Sequence, residues 1–350
     1  MNPPGEEASR FLDRDAMEAA LQLQGRLTKP AGSLGRLEDL GVQLAGISGA
    51  CPPRIPSKPM VVIAAGDHGV LVEGVSPWPQ EVTTQMIHNF LAGGAAINVL
   101  ADEVGAQVVV VDCGVHAEFT PTPMLYSVKR AQVTGNIHIE PAMTEAVAAA
   151  LIEEGRHFAA QQASQGIDLF VTGDMGIGNT TPSAALIATV CSVSAVDVTG
   201  RGTGVDDHTL AKKTAIVTQV VDSYHGDRSN AVQLLARMGG FEHAFLAGLI
   251  LGAAEARVPV ILDGVIAIAA ALMAAAEDQA VVDYLIAGHR SVEPGASVGL
   301  AHLGLEPLLD LHLRLGEGTG AVLAVPMVRA AARVLAEMAT FDAAGVTEKG

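Results

Sequence analysis

From Met60 onward one pattern recurs along the chain. A short apolar run ends in Gly or Asp, and a helix-like segment follows it. The runs occupy 60–65, 107–111, 169–172, 193–198, 258–262 and 281–286. Continuous apolar strands alternating with helices predict a parallel sheet covered on both faces. We therefore expect an α/β fold: a doubly wound, mostly parallel sheet with helices on both faces. Right-handed crossovers place the loops after these strands on one sheet edge. Ligands bind there, outside the carboxyl ends of the strands.

Residues 13–27 and 36–47 read as helices, joined by the turn-rich link Thr28-Lys29-Pro30-Ala31-Gly32-Ser33-Leu34-Gly35. A Pro-rich stretch, 51–59, separates these helices from the first apolar run, and 327–338 reads as a final helix. This divides the chain into an α/β core over 56–325 and a small helical domain built from 1–55 and 326–350. A balance of 38 acidic against 21 basic residues, net −17, disfavours nucleic acid and anionic membrane as partners. It leaves room for a small anion, which backbone amides bind locally. The longest apolar run, 264–276, is shorter than the roughly 20 residues a membrane span needs. The acidic, polar N-terminus has no signal-peptide pattern. Cys51, Cys113 and Cys191 are too scattered for a metal site, so reduced thiols, a cytoplasmic location and no metal are expected.

Three glycine-rich loops carry the candidate chemistry. In the first, strand 168–172 runs into Gly173-Asp174-Met175-Gly176-Ile177-Gly178-Asn179-Thr180-Thr181-Pro182 and then a helix over 183–190. Backbone N–H groups at a helix start attract anions, and Asp174 adds a carboxylate. The loop matches neither the Walker nor the dinucleotide pattern. An ordinary turn capped by Asn or Thr remains open. The second is Gly200-Arg201-Gly202-Thr203-Gly204, with Lys212 and Lys213 a few turns later. The third sets Glu317 between glycines, at 316 and 318, and between two apolar stretches. Partial desolvation there raises a carboxyl pKa towards that of a general base, although a helix-capping turn fits the same spacing. Asp67-His68, the stretch 74–86 and the turn from Ser291 to Ala296 have weaker claims. For each, a structural role is the alternative.

Together these segments resemble the nicotinate-nucleotide:dimethylbenzimidazole phosphoribosyltransferase family. The matching stretches include Lys29-Pro30-Ala31-Gly32-Ser33-Leu34-Gly35-Arg36-Leu37-Glu38, Gly66-Asp67-His68-Gly69-Val70 and Pro79-Gln80-Glu81-Val82-Thr83-Thr84-Gln85-Met86. Gly93-Gly94-Ala95-Ala96-Ile97-Asn98-Val99-Leu100, Gly176-Ile177-Gly178-Asn179-Thr180-Thr181, 200–204, 291–295 and Glu317-Gly318-Thr319-Gly320-Ala321 come next, in family order. The resemblance implies transfer of phosphoribose from nicotinate mononucleotide to 5,6-dimethylbenzimidazole, giving α-ribazole 5′-phosphate and nicotinate without a cofactor. It implies Glu317 as general base. It assigns Gly176, Ile177, Gly178, Asn179, Thr180, Gly202, Thr203, Gly204 and Lys213 to the nucleotide phosphate. Asp174 and Ser291 fall on the nicotinate and ribose side, and Pro79, Gln85, Met175 and Leu315 line the base pocket. It further implies a homodimer in which Ser33 and Leu34 of one subunit help complete the other's site. One departure stands out: the family commonly has glutamate at the position of Asp174, one methylene longer. Two other readings are the same transfer to another acceptor, adenine or a phenol, and a non-catalytic nucleotide- or benzimidazole-binding protein.

Overall fold

The strand Pro59–Gly66 (β1) is buried at every position, as the centre of a two-sided sheet must be. It is followed by Gln107–Gly114 (β2), Leu125–Ser127 (β3), Leu169–Met175 (β4), Val260–Leu262 (β5) and Leu285–Ala287 (β6). The computed structural model, which describes residues 11–347, joins these in one sheet of order β3-β2-β1-β4-β5-β6. Every pairing is parallel. The ends of the expected helical domain, 1–10 and 348–350, lie outside the described residues. Strand order reverses between β1 and β4, and an open parallel sheet offers its ligand crevice at such a reversal. There Ala64 pairs with Asp174 and Ala65 with Met175.

The helices preceding β4 are Arg14–Arg26 (α1), Arg36–Ser48 (α2), Glu81–Leu91 (α3), Ala96–Glu103 (α4) and Glu145–Ser164 (α5). After β4 come Thr180–Cys191 (α6), Ala195–Val198 (α7), Asp207–Asp222 (α8), Ala231–Met238 (α9) and Phe241–Glu255 (α10). Val265–Glu277 (α11), Pro294–Leu303 (α12), Thr319–Val322 (α13), Val325–Glu337 (α14) and Phe341–Ala344 (α15) complete the set. Side chains of β1 alternate between two cores. Met60, Val62 and Ala64 face α5, α6, α10 and α11. Val61, Ile63 and Ala65 face α2, α3, α4, α13 and α14. The doubly wound expectation holds. On the outside, α1 packs on α2 and α14 around Ala16, Ala20, Val42, Ala45 and Leu335. The stretch Thr319–Glu337 is long and apolar enough to cross a membrane, but 56% of it is buried in the fold, as in a core helix.

Four local expectations are corrected. Residues 193–198 form no strand: Ser194 caps α7 by accepting from Val196 N, and Val196 is 68% exposed. A parallel interior strand would be covered on both faces. The stretch 281–286 is mostly 3-10 helix, Gln279–Tyr284, begun by Asp278, so β6 starts only at Leu285. Gly173 and Asp174 belong to β4 rather than to the loop after it. Finally, β3 was not expected. It is a three-residue edge strand, only half covered, and too short for a period to show.

The α5–α10 contact depends on small residues. A Cβ on Gly248 would lie 1.9 Å from the Ile152 carbonyl oxygen, and one on Gly155 2.2 Å from that of Phe245. Gly248→Ala gains up to about 1 kcal/mol of helix propensity. Overpacking against backbone costs about 1–3 kcal/mol. We expect net destabilisation, read as a lower thermal midpoint; an unchanged or higher midpoint refutes the close-packing account.

Candidate active site

Asp174, near the end of β4, is buried, and its Oδ2 accepts from Asn179 Nδ2 at 2.9 Å. Burial, followed by the charge of Asp263, pushes its carboxyl well above the usual range. The turn between them is pinned to α3, because Ile177 N donates to Thr83 Oγ1 at 3.2 Å. Gly176, Ile177, Gly178, Asn179 and Thr180 line one cavity with Arg201, Gly202, Thr203 and Lys213. Val75 and Ser76 close another wall. Two of the three glycine loops thus converge, although the second follows α7 and not a strand.

Three side chains hold that second loop. Lys213, 1% exposed on α8, donates to Thr180 Oγ1 at 2.7 Å and to the Gly200 carbonyl at 3.0 Å. Glu293 Oε1 accepts from Gly202 N at 2.8 Å, and Arg314 Nη1 donates to the Gly202 carbonyl at 3.3 Å. Gly204 stands beside Arg314. Burial pulls the Lys213 pKa down to about 8 against the opposing charge of Glu293. Ser291 is buried next to this group and accepts from Glu293 N at 3.3 Å.

Glu317 sits directly against β4. A Cβ on Gly173 would come within 2.5 Å of its carbonyl oxygen, so only glycine fits there. The backbone is left-handed at Gly316, Glu317 and Gly318, with φ of 82°, 64° and 92°. Glu317 is 5% exposed, and its Oε2 meets no hydrogen-bond partner among the described residues. Burial raises its pKa, a bond from Ile97 N–H pulls it back, and the Asp263 charge adds to the rise. Asp174 faces the same turn. The structure therefore places a desolvated carboxylate near a glycine-lined, lysine-backed cavity.

The remaining expected residues do not line this cavity. Pro79 and Gln85 are exposed, Leu315 is 54% exposed, and Met175 is half-buried against the α3 core. Ser33 and Leu34 occupy a loop braced from within. Glu38 Oε1 accepts from Leu34 N at 2.9 Å and pairs with Lys29 Nζ at 2.8 Å. No cluster of three or more His, Cys, Asp or Glu among the described residues is arranged to hold a metal.

Asp263, Glu242 and His243 had no assigned part in the sequence reading, and His68, Thr83 and Glu293 entered it only within the weaker candidate loops. His68 Nε2 lies 3.0 Å from Glu242 Oε1, and His243 Nδ1 lies 2.8 Å from the same oxygen. His243 Nε2 meets Ser183 Oγ at 2.8 Å, and Ser183 Oγ donates to the Asn179 carbonyl. His68 therefore supports the Asn179 turn through Glu242, His243 and Ser183. Glu242 and His243, polar residues inside the otherwise apolar, buried run 241–254 of α10, were the available signal.

This buried pair carries a pH signature. Burial would raise Glu242, but the His68 and His243 rings hold it far below its usual 4.5. Burial would lower His68, but Glu242 raises it above its usual 6.5. The Glu242 contribution is complete above about pH 4.5 and lost as pH falls through the folded value. The His68 contribution is complete below about pH 6.5 and lost as pH rises through the folded value. The stability lost in Glu242→Gln, measured by urea unfolding, should peak between those limits. A difference that does not vary with pH refutes the pairing.

Comparison with known proteins identifies the family. A family described as phosphoribosyltransferase matches residues 10–346. Nicotinate-nucleotide–dimethylbenzimidazole phosphoribosyltransferase of Salinispora tropica is 53% identical, with 97% of each chain covered. That of Chloroflexus aurantiacus is 52% identical over 97% of this chain and 96% of its own. The crystal structure of the Thermus thermophilus enzyme superposes with a TM-score of 0.92 at 42% identity, covering 97% of this chain and all of that one. The chain belongs to the nicotinate-nucleotide:dimethylbenzimidazole phosphoribosyltransferase family.

Proposed function

We propose that this protein transfers phosphoribose from nicotinate mononucleotide to a ring nitrogen of 5,6-dimethylbenzimidazole. The products are α-ribazole 5′-phosphate and nicotinate. The observation that carries the reading is the buried Glu317 Oε2, without a partner among the described residues, whose turn faces Asp174, itself bonded to Asn179 of the cavity wall.

The nucleotide phosphate lies against the turn formed by Gly176, Ile177, Gly178, Asn179 and Thr180. Gly202, Thr203 and Gly204 close over it, with Lys213 supplying charge. Asp174 and Ser291 face the ribose and nicotinate. Pro79, Gln85, Met175 and Leu315 wall the acceptor. The acceptor nitrogen bonds to the anomeric carbon from the face opposite nicotinate. The bond to nicotinate breaks, its electron pair neutralising the positive ring nitrogen. Glu317 takes the proton from the acceptor ring. Its raised pKa suits a general base, and a carboxylate near the anomeric carbon stabilises oxocarbenium-like charge. Alignment of two substrates supplies much of the remaining acceleration. The reading includes a homodimer with Ser33 and Leu34 reaching the neighbouring site, a cytoplasmic location, and a 56–325 core carrying the chemistry.

Purified protein mixed with both substrates should release nicotinate. No release at high enzyme concentration overturns the reading. The exposure of Pro79 and Leu315 favours a tolerant acceptor pocket, so adenine or a phenol belongs in the same tube as a competitor.

A further inference from the structure

We propose that Asp263 is a positioning residue for the general base, fixing Glu317 through the backbone of its own loop. This rests on the reaction proposed above and assigns its carboxylate a dedicated support.

Asp263 follows β5 and is 1% exposed. Its Oδ2 accepts from Gly318 N at 3.2 Å, and its Oδ1 from Gly320 N and Ala321 N at 2.9 Å each. His289 Nε2 stands 3.3 Å from Oδ1. Both oxygens are occupied as acceptors. Asp263 N in turn donates to Thr172 Oγ1 at 3.1 Å, and Thr172 Oγ1 donates to the Ile261 carbonyl at 3.2 Å. The aspartate is thus tied to two central strands, β4 and β5. It transmits their rigidity to the first residues after Glu317.

That support is needed because the turn is one the chain adopts reluctantly. Three successive left-handed residues suit glycine, and the middle one is glutamate. Bonds to Gly318, Gly320 and Ala321 leave the turn one way to lie, with Glu317 against Gly173. A plain helix cap would satisfy the same N–H groups, but α13 is only four residues long. The Asp263 charge also adds to the rise that burial produces in both Glu317 and Asp174. The groups facing this pair are Asp174 from β4, Ile97 N–H from α4, and His289 after β6; Glu242 from α10 acts on Asp174.

The test uses the full chain as wild type, Asp263→Asn and Asp263→Glu. Nicotinate release is followed across pH, and nicotinate mononucleotide binding by calorimetry. Asp263→Asn should lose about 10-fold or more in kcat, on the scale that misplacement of a reacting group costs. Its nucleotide affinity should stay within about 3-fold of wild type, because the phosphate contacts lie elsewhere. The acid limb of its kcat profile should move to lower pH, because a negative neighbour of Glu317 has gone. Asp263→Glu keeps the charge, so its acid limb stays in place while kcat falls. Wild-type kcat in Asp263→Asn, an unmoved acid limb, or equal losses of kcat and nucleotide affinity overturn the proposal. If Asp263→Asn fails to fold, Asp263→Glu decides alone, and wild-type turnover in it overturns the proposal. A wild type that releases no nicotinate overturns the reaction itself, a different result from an active wild type with an unaffected variant.

Discussion

Glu317→Gln should turn over about 100-fold or more slowly than the wild type while still binding nicotinate mononucleotide. The factor is that of a lost general base. Glutamine keeps the size of the side chain and leaves the turn geometry to the backbone. The proposed phosphate site is built on Thr180, Gly202 and Lys213, whose bonds run to one another, to Gly200 and to Glu293 rather than to Glu317. The substitution should not weaken the fold. A carboxyl whose pKa is raised by burial opposes folding once pH exceeds both its unfolded and folded values. Glutamine removes that cost at neutral pH. Nicotinate release at saturating substrates and calorimetric binding measure the two halves. Turnover within about 2-fold of wild type would remove Glu317 from its role.

Lys213→Met should raise the KM for nicotinate mononucleotide by about 10- to 100-fold. Lys213 bridges the two glycine loops, reaching Thr180 Oγ1 and the Gly200 carbonyl from a buried position. A charge-assisted bond is worth about 1.5–3 kcal/mol, and each 1.4 kcal/mol is about tenfold in affinity. Methionine keeps the apolar stem and removes the charge. The same residue gives the wild type a pH dependence. With a pKa near 8, free Lys213 loses its proton on the alkaline side. Wild-type KM should therefore climb above about pH 8, while Lys213→Met shows no climb there. A parallel climb in the variant would assign it to another group.

The topology and the loops were legible in the sequence for different reasons. Parallel strands buried on both faces leave long apolar runs, so β1, β2 and β4 stood out. Short edge elements leave almost no pattern, which is why β3 escaped and β6 was read too long. The run 193–198 misled because its mix of valines and small residues also fits one helical turn capped by Ser194. Among site residues, those on glycine loops were readable because glycine spacing signals close backbone approach. Asp263 and Glu242 were not, since each works through contacts with segments distant in sequence. Residues 263 and 321 meet only once the sheet has brought β5 beneath the Glu317 turn.

The left-handed backbone at Glu317 has an evolutionary consequence. A residue other than glycine in that conformation costs about 1 kcal/mol or more. Glycine would suit the turn better, and it would also remove a buried acid from the interior. Selection for a sturdier fold and selection for turnover therefore pull this one position in opposite directions. The chain keeps glutamate where folding alone would discard it, so a descendant freed from making product should lose Glu317 early and gain stability by doing so.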